Sequence, residues 1–275
     1  MALIDDPLEH EFSFSKGDFD RVRELIYRHA GISLHDGKQA MVYSRLSRRL
    51  RETGHASFAA YLQALESQGG QSEWQEFVNC LTTNLTSFFR EDHHFVALKD
   101  DVKVINSRPL RIWCCAASTG EEPYSIAITC SEALGGATQF QMIASDIDTN
   151  VLATARRGVY SVDARGLSPE RLRNNFLRGT GANAGKMKVK PELQRCIEFK
   201  PLNLMDQQWQ LGEPFHIVFC RNVMIYFDAP TQRKVLERIH RVLRPGGLLF
   251  VGHSENFTES RDLFKLRGKT IYERV

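Results

Sequence analysis

Leu110-Arg-Ile-Trp-Cys-Cys-Ala-Ala-Ser-Thr-Gly-Glu-Glu-Pro-Tyr124 passes from a short apolar run, through small residues, into an amphipathic segment. Residues 110–116 read as a strand. Pro123 fits the first turn of a helix, where a missing N–H costs nothing, and that helix continues through Ile126 and Ala133 to the stop at Gly135-Gly136. A strand, a tight turn and a helix in this order make the first half of a βαβ unit.

Working outward, the same alternation recurs. Phe140–Ala144, Arg195–Phe199, Phe215–Cys220 and Leu248–Val251 read as further strands, and Pro230 opens a helix that must end before Arg244-Pro245-Gly246-Gly247. Short apolar runs between amphipathic helices predict a mostly parallel sheet. Leu263–Arg274 reads as a closing hairpin around Arg267-Gly268-Lys269. Residues from about 160 to 195 are too many for an ordinary connection. Ser168-Pro169 opens a short helix there, and Lys186-Met-Lys-Val-Lys190 alternates as a strand does, so this stretch is expected to be an inserted β-subdomain with a hairpin.

Upstream the period changes to helical. Asp18 is a candidate cap for a helix presenting Phe19, Val22, Leu25 and Ile26, ended by Gly31. A second helix over 38–52 places Met41, Val42, Leu46 and Leu50 near one side and Arg45, Arg48, Arg49 and Arg51 largely elsewhere. A third runs from Ser57 to the break at Gln68-Gly69-Gly70, and a fourth surrounds Trp74, Phe77, Val78 and Leu81. The expected domains are thus a helical one over 11–82, an interdomain segment over 83–108, and an α/β domain over 109–275.

With 275 residues, 42% of them hydrophobic and 25% charged, the composition excludes disordered, collagenous and coiled-coil classes. The acidic Met1–Pro7 lacks the pattern of a secretory signal, and no apolar run approaches membrane-spanning length, so a cytoplasmic protein is expected. The six cysteines form no C-x-x-C pair and no Cys/His cluster at zinc spacing, so reduced thiols and no metal are expected. The net charge of +3 conceals a division: residues 37–65 carry +4 and 155–200 carry +7, whereas 66–154 carry −7. Such asymmetry suggests an acidic partner.

Ligands of open α/β sheets bind at the carboxyl ends of the strands. After the first strand, the small residues of 116–120 allow close backbone approach, but no G-x-G-x-x-G fingerprint is present and Glu121 and Glu122 would repel a pyrophosphate. Two carboxylates favour a cationic ligand instead. After the second strand, Asp146 is placed to take two ribose hydroxyls. A ribose and a positive charge without a phosphate cradle describe S-adenosylmethionine better than NAD or ATP. Taken singly, Asp146 could cap the next helix and the Glu pair could complement a helix dipole. Their order on the βαβ pattern, with Asn203, Arg221-Asn222 and the Leu243-Arg-Pro-Gly-Gly247 turn, favours a methyltransferase.

The sequence resembles the bacterial chemotaxis receptor glutamate methyltransferases, the CheR family, along nearly its whole length. The resemblance rests on Leu81-Thr-Thr-Asn-Leu-Thr-Ser-Phe-Phe-Arg-Glu91, Ala116-Ala-Ser-Thr-Gly-Glu-Glu-Pro-Tyr-Ser125, Ala144-Ser-Asp-Ile-Asp148, Phe219-Cys-Arg-Asn-Val-Met-Ile-Tyr-Phe-Asp228 and Leu243-Arg-Pro-Gly-Gly-Leu-Leu-Phe-Val-Gly-His-Ser-Glu255. It implies an α/β, Rossmann-like class I S-adenosylmethionine-dependent methyltransferase sheet with a small inserted β-subdomain, preceded by an all-α N-terminal domain. It further implies methyl transfer to glutamate carboxylates on the cytoplasmic helical region of methyl-accepting chemotaxis receptors, with S-adenosylhomocysteine as product. By the same resemblance Asn84, Thr86 and Arg90 reach the cofactor, Glu121 holds its ammonium, Asp146 its ribose, and Asn203-Leu204 its adenine. Arg221-Asn222 close the pocket and Tyr226 lies near the methyl. Arg90 and Tyr226 are the candidate catalytic residues, orienting the reactants without an obligatory general base.

An acidic receptor gives the arginines of 38–52 a docking role. In some members of the family the β-subdomain clasps a receptor C-terminal peptide, and the Arg178-Gly-Thr-Gly-Ala-Asn-Ala-Gly185 loop resembles that type. A monomer recruited to membrane receptor arrays is expected. Competing readings are methylation of another protein or a small carboxylate, a non-catalytic scaffold, and a nucleic-acid methyltransferase, which would need an Asn/Asp-Pro-Pro-aromatic motif not evident here.

Overall fold

The computed structural model describes residues 11–68 and 70–275; the acidic Met1–Pro7 stretch and Gly69 of the 68–70 break lie outside the described residues. The chain divides into two compact units, one ending at Thr82 and the other beginning at Thr83. Among the described residues no helix is long and apolar enough to cross a membrane.

The first unit is helical: α1 (Lys16–Ala30), α2 (Gln39–Thr53), α3 (Phe58–Gln68) and α4 (Gln71–Leu81). Ser15, not Asp18, caps α1. The Ser15 hydroxyl accepts the Asp18 N–H at 3.1 Å while the Asp18 carboxylate accepts the Ser15 N–H at 2.9 Å, so Asp18 is the third-position partner of a capping box. Val22, Ile26, Val42, Leu46, Leu50, Phe58, Tyr61, Leu62, Phe77 and Val78 are wholly buried and form the core of this unit. Two of the arginines expected on a free basic face turn instead toward α4 and its end. Arg49 makes a forked pair with Glu73 at 2.9 and 2.5 Å, and Glu73 also accepts the Tyr61 hydroxyl at 2.8 Å. Arg45 donates to the Thr82 carbonyl at 2.5 Å. Arg48 and Arg51 remain at the surface, beside Glu52 and Glu11.

The second unit begins with α5 (His93–Val104), inside the stretch expected to be an interdomain segment. It then runs β1 (Leu110–Cys114), α6 (Glu121–Leu134), β2 (Phe140–Asp146), α7 (Thr149–Arg157), β3 (Val159–Ser161), α8 (Pro169–Asn175), β4 (Phe176–Arg178), β5 (Lys186–Val189), α9 (Pro191–Gln194), β6 (Ile197–Pro201), β7 (Phe215–Cys220), α10 (Ala229–Val242), β8 (Leu243–Val251), β9 (Phe264–Gly268) and β10 (Ile271–Arg274). The main sheet has the order β6-β2-β1-β7-β8-β10-β9, parallel except for the β9–β10 hairpin. The chain reverses direction across the sheet between β1 and β7, which opens a crevice at their carboxyl ends. The expected α/β methyltransferase-type architecture, with its all-α unit and small extra sheet, is the one observed.

Successive strand residues feed two cores. Ile112, Cys114, Met142, Ala144, Ile217, Phe219 and Phe250 pack with α5 and α6 on one face. Trp113, Cys115, Ile143, Val218, Cys220 and Val251 pack with Val235, Leu236 and Ile239 of α10 on the other. The insert is a three-stranded antiparallel sheet, β3-β5-β4, so the expected hairpin is joined by a third strand.

The parallel strands end within two residues of expectation, at Cys114, Asp146, Pro201, Cys220 and Val251, but two of them start elsewhere. The Arg195–Phe199 strand starts at Ile197, because Pro191–Gln194 and its cap Arg195 form a helical turn. The last parallel strand starts at Leu243 rather than Leu248. Arg244-Pro-Gly-Gly247 stays in the strand as an irregularity, with Gly246 at φ +71° and a register shift between Phe215 and Ile217 of β7. All six cysteines are free thiols.

Candidate active site

At the carboxyl end of β1 the backbone turns sharply, with Ser118 at φ +47° and Gly120 at φ +101°. A Cβ on Gly120 would stand 2.6 Å from the Tyr160 hydroxyl and 2.9 Å from Ala155 Cβ, so glycine alone fits. Tyr160 donates to the Thr119 carbonyl at 2.8 Å and fixes the turn from the other side. Glu121 follows as the first residue of α6, half-buried, its carboxylate accepting the Thr119 hydroxyl at 2.6 Å.

At the end of β2, Asp146 is buried and each of its oxygens takes a backbone N–H: Ser118 at 2.8 Å and Asp148 at 3.0 Å. Burial pushes its carboxyl up to about 6. The cap of α7 is Asp148, which accepts the N–H groups of Asn150 and Val151. Asp146 is therefore not the helix cap. Asn84 ties the two turns together. Its side chain donates to Asp148 at 2.7 Å, and its carbonyl accepts the Ser118 hydroxyl at 3.0 Å. The Leu202 N–H donates to the Asp146 carbonyl at 3.0 Å and carries residues 203–204 alongside. Asn203 is half-buried and accepts the Met205 N–H, while Leu204 is buried in the α10-side core.

The end of β7 builds a second cluster. Arg221 is fully enclosed: it reaches Glu122 at 2.5 Å, Glu91 at 3.2 Å and the Arg90 carbonyl at 2.6 Å. Its guanidinium thus serves as an internal tie. Asn222, at φ +56°, donates its N–H to Glu255 and its side chain to Glu91. Glu255 also accepts the N–H groups of Met224 at 2.8 Å and Gly252 at 2.6 Å, which shapes the turn that ends in half-buried Tyr226. Arg90 is half-buried, with its guanidinium on the Leu85 carbonyl at 3.1 Å, and Thr86, in the same stretch of chain, is half-buried.

Asn84, Glu121, Asp146 and Asn203-Leu204 thus gather around the first two strand ends, and Arg90, Arg221, Asn222 and Tyr226 belong to the third. The reading of individual residues missed Glu91, Glu122 and Glu255 as the groups that hold this second cluster. All three sit inside quoted motifs, but only the fold reveals that they answer backbone and arginine donors; Glu122, expected beside Glu121 to favour a cationic ligand, is instead buried against Arg221. Burial would raise the Glu91 carboxyl, yet the Arg221 charge and the bonds from His253, Arg221 and Asn222 hold it down at about 2.

The donor set fits S-adenosylmethionine. Two carboxylates at adjacent strand ends, Glu121 and Asp146, suit a cation and a diol, and a carboxylate in the β1–α6 turn does not suit a phosphate. The CheR methyltransferase SAM-binding domain matches residues 84–272, and the CheR methyltransferase all-alpha domain matches residues 17–82. Chemotaxis protein methyltransferase 2 of Pseudomonas aeruginosa is 52% identical over 266 residues, covering 95% of this chain and 94% of that protein. The chemotaxis protein methyltransferases of Escherichia coli and Klebsiella aerogenes are 49% and 53% identical, covering 96% and 94% of this chain and 93% and 89% of their own lengths. From its fold, its strand-end carboxylates and these relatives, the chain belongs to the CheR family of S-adenosylmethionine-dependent chemotaxis methyltransferases.

Proposed function

We propose that the protein transfers a methyl group to glutamate side chains of methyl-accepting chemoreceptors, giving glutamyl methyl esters and S-adenosylhomocysteine. The observation that carries this reading is the pairing of a cation-suited carboxylate pocket with relatives named chemotaxis protein methyltransferases. The cofactor supplies an already activated sulfonium methyl. The attacking glutamate, with an ordinary pKa of about 4.3, is ionised at neutral pH and needs no general base. Its oxygen forms the new bond to the methyl carbon as the carbon–sulfur bond breaks and the electron pair stays on sulfur.

What remains for the chain is positioning and exclusion of water. In this reading Glu121 takes the ammonium, Asp146 the ribose hydroxyls and Asn203-Leu204 the adenine end, with Asn84 and Thr86 closing the near side and Asn222 the far side. Arg90 and Tyr226 orient the methyl and the incoming carboxylate. Arg221 acts through Glu91 and Glu122, as a positioning residue. Receptor helices dock on the helical unit through Arg48 and Arg51 at its surface, while Arg45 and Arg49, bonded to Thr82 and Glu73, hold the helix that carries them. A receptor C-terminal peptide adds to an edge of the three-stranded sheet. The enzyme works in the cytoplasm as a monomer recruited to receptor arrays.

Incubation with methyl-labelled S-adenosylmethionine and separate receptor, RNA and DNA samples tests the reading. Base-labile label on receptor glutamates supports it; label on nucleic acid, or on no receptor, overturns it. Arg90→Ala with normal turnover and normal cofactor affinity would remove Arg90 from the site.

A further inference from the structure

Beside the second cluster, and sharing Glu91 with it, lies a group whose two histidines methyl transfer does not use. Glu91, His93 and His94 each present a ligand-type atom, and these atoms all lie within 4.8 Å of one another. Glu91 reaches the group because its backbone is left-handed, φ +56°, one residue before the Asp92 cap of α5. His94 is fully buried, and its Nε2 lies 3.0 Å from both the Lys269 carbonyl and the Thr270 hydroxyl oxygen. A carbonyl only accepts, and the Thr270 hydroxyl already donates to Lys269, so Nε2 carries the ring proton. Nδ1 is then left with a lone pair. It has no hydrogen-bond partner, and it lies 3.7 Å from the Glu91 carboxylate.

A buried imidazole lone pair facing a carboxylate oxygen with no proton between them is a poor arrangement by itself and a good one around a cation. The backbone carbonyl on the opposite ring nitrogen is the usual outer support of a metal-bound histidine, fixing both tautomer and ring orientation. Zinc bonds of 2.0–2.2 Å to nitrogen and oxygen place tetrahedral ligand atoms about 3.4 Å apart. The 3.7 Å between His94 and Glu91 is close to that spacing, and half-buried His93 supplies a third atom within 4.8 Å of both. Arg221 is nearby, but Glu122 offsets its charge at 2.5 Å, so Glu91, Glu122 and Arg221 together still carry one negative charge.

We propose that Glu91, His93 and His94 form a binding site for one divalent transition-metal ion of the imidazole-preferring class, with zinc as the best match. The site escapes a search for spaced Cys/His motifs. Its two histidines are consecutive, and its third ligand is brought back by a left-handed residue. The site stands independently of the substrate assignment, because binding is read without any methyl acceptor.

Tag-free full-length protein is titrated with zinc chloride against a chromogenic chelator, and in parallel with cobalt chloride followed by visible absorption. The wild type is expected to take up one zinc and to give the intense d–d bands of a low-coordinate cobalt site. His93→Gln and His94→Gln are expected to weaken uptake by about tenfold or more, whereas His35→Gln, exposed in the other unit, leaves it unchanged. Equal zinc affinity and stoichiometry in the wild type and His93→Gln overturn the proposal, as do cobalt spectra indistinguishable from the aqueous ion. Because His94 is buried, its variant is read only if its melting curve is retained; half-buried His93 carries the test otherwise.

Discussion

Asp146 receives two backbone N–H groups, yet burial still holds its proton up to about 6. Hydroxyl donors from a ribose favour the carboxylate, so affinity for S-adenosylhomocysteine should fall as pH drops through about 6. For the ligand-free fold the sign is reversed: with the folded pKa above the ordinary 3.8, this group's contribution declines as pH rises from 3.8 through about 6. Asp146→Asn should flatten the pH dependence of binding and weaken it by roughly ten- to hundredfold, the loss of a charged acceptor being about 1.5–3 kcal/mol. Calorimetry across pH 5 to about 8 checks both statements. Glu255 poses the complementary case, a carboxylate that touches no reactant in this reading but accepts three N–H groups. Glu255→Gln puts an amide against at least one of them. It should cost about 2 kcal/mol in denaturant unfolding and lower kcat, because the turn carrying Asn222 and Tyr226 loosens.

Among the elements, Arg49 and Arg48 stand one residue apart on α2 with different fates. Arg49 is 18% exposed and locked to Glu73, whereas Arg48 is 77% exposed and meets Glu52 in solvent. Arg49→Ala should destabilise the helical unit by about 1–3 kcal/mol in chemical denaturation, since Glu73 loses its fork; Arg48→Ala should leave the midpoint unchanged. Sequence periodicity places both on the polar side and does not separate them, because Glu73 arrives from another helix. The same limit explains the other boundaries. Phe215–Cys220 is legible to the residue because every position is buried and all but His216 are apolar. Leu243–Gly247 is not, because proline and glycine signal a turn as readily as a bulged strand. Phe95, Leu98 and Val102 of α5 do carry a helical period, but buried His94 and Asp101 break the polarity pattern that would mark its face. In the site, the carboxylates after β1 and β2 are readable from their place in the βαβ order. The ties of Glu91 to Arg221 and of Glu255 to Asn222 join residues more than a hundred and more than thirty positions apart, and only tertiary structure brings them together.

On the scale of the whole chain, the +4 of residues 37–65 is less available than the count suggests, since Arg49 and Arg45 are engaged internally. What remains at the surface of this island to steer an acidic receptor is Lys38, Arg48 and Arg51, the two arginines standing together on α2. Reversing both to Glu should raise the receptor KM by about three- to tenfold at low salt, with the difference shrinking as salt rises. Cofactor affinity should not move. An unchanged KM would remove the helical unit's basic surface from receptor docking.

The central position of β7 also has a kinetic meaning. Its amides and carbonyls are held between β1 and β8, and every side chain on it is buried. Such amides exchange with solvent only through the largest openings of the fold, whereas the edge strands β6 and β9 exchange through local fraying. Deuterium should therefore enter 217–220 last. Arg221 and Asn222 leave directly from that strand, so the ends of the reaction pocket are fastened to the longest-lived piece of the native state. Turnover can then proceed by movement of the flanking turns while the strand beneath them stays closed.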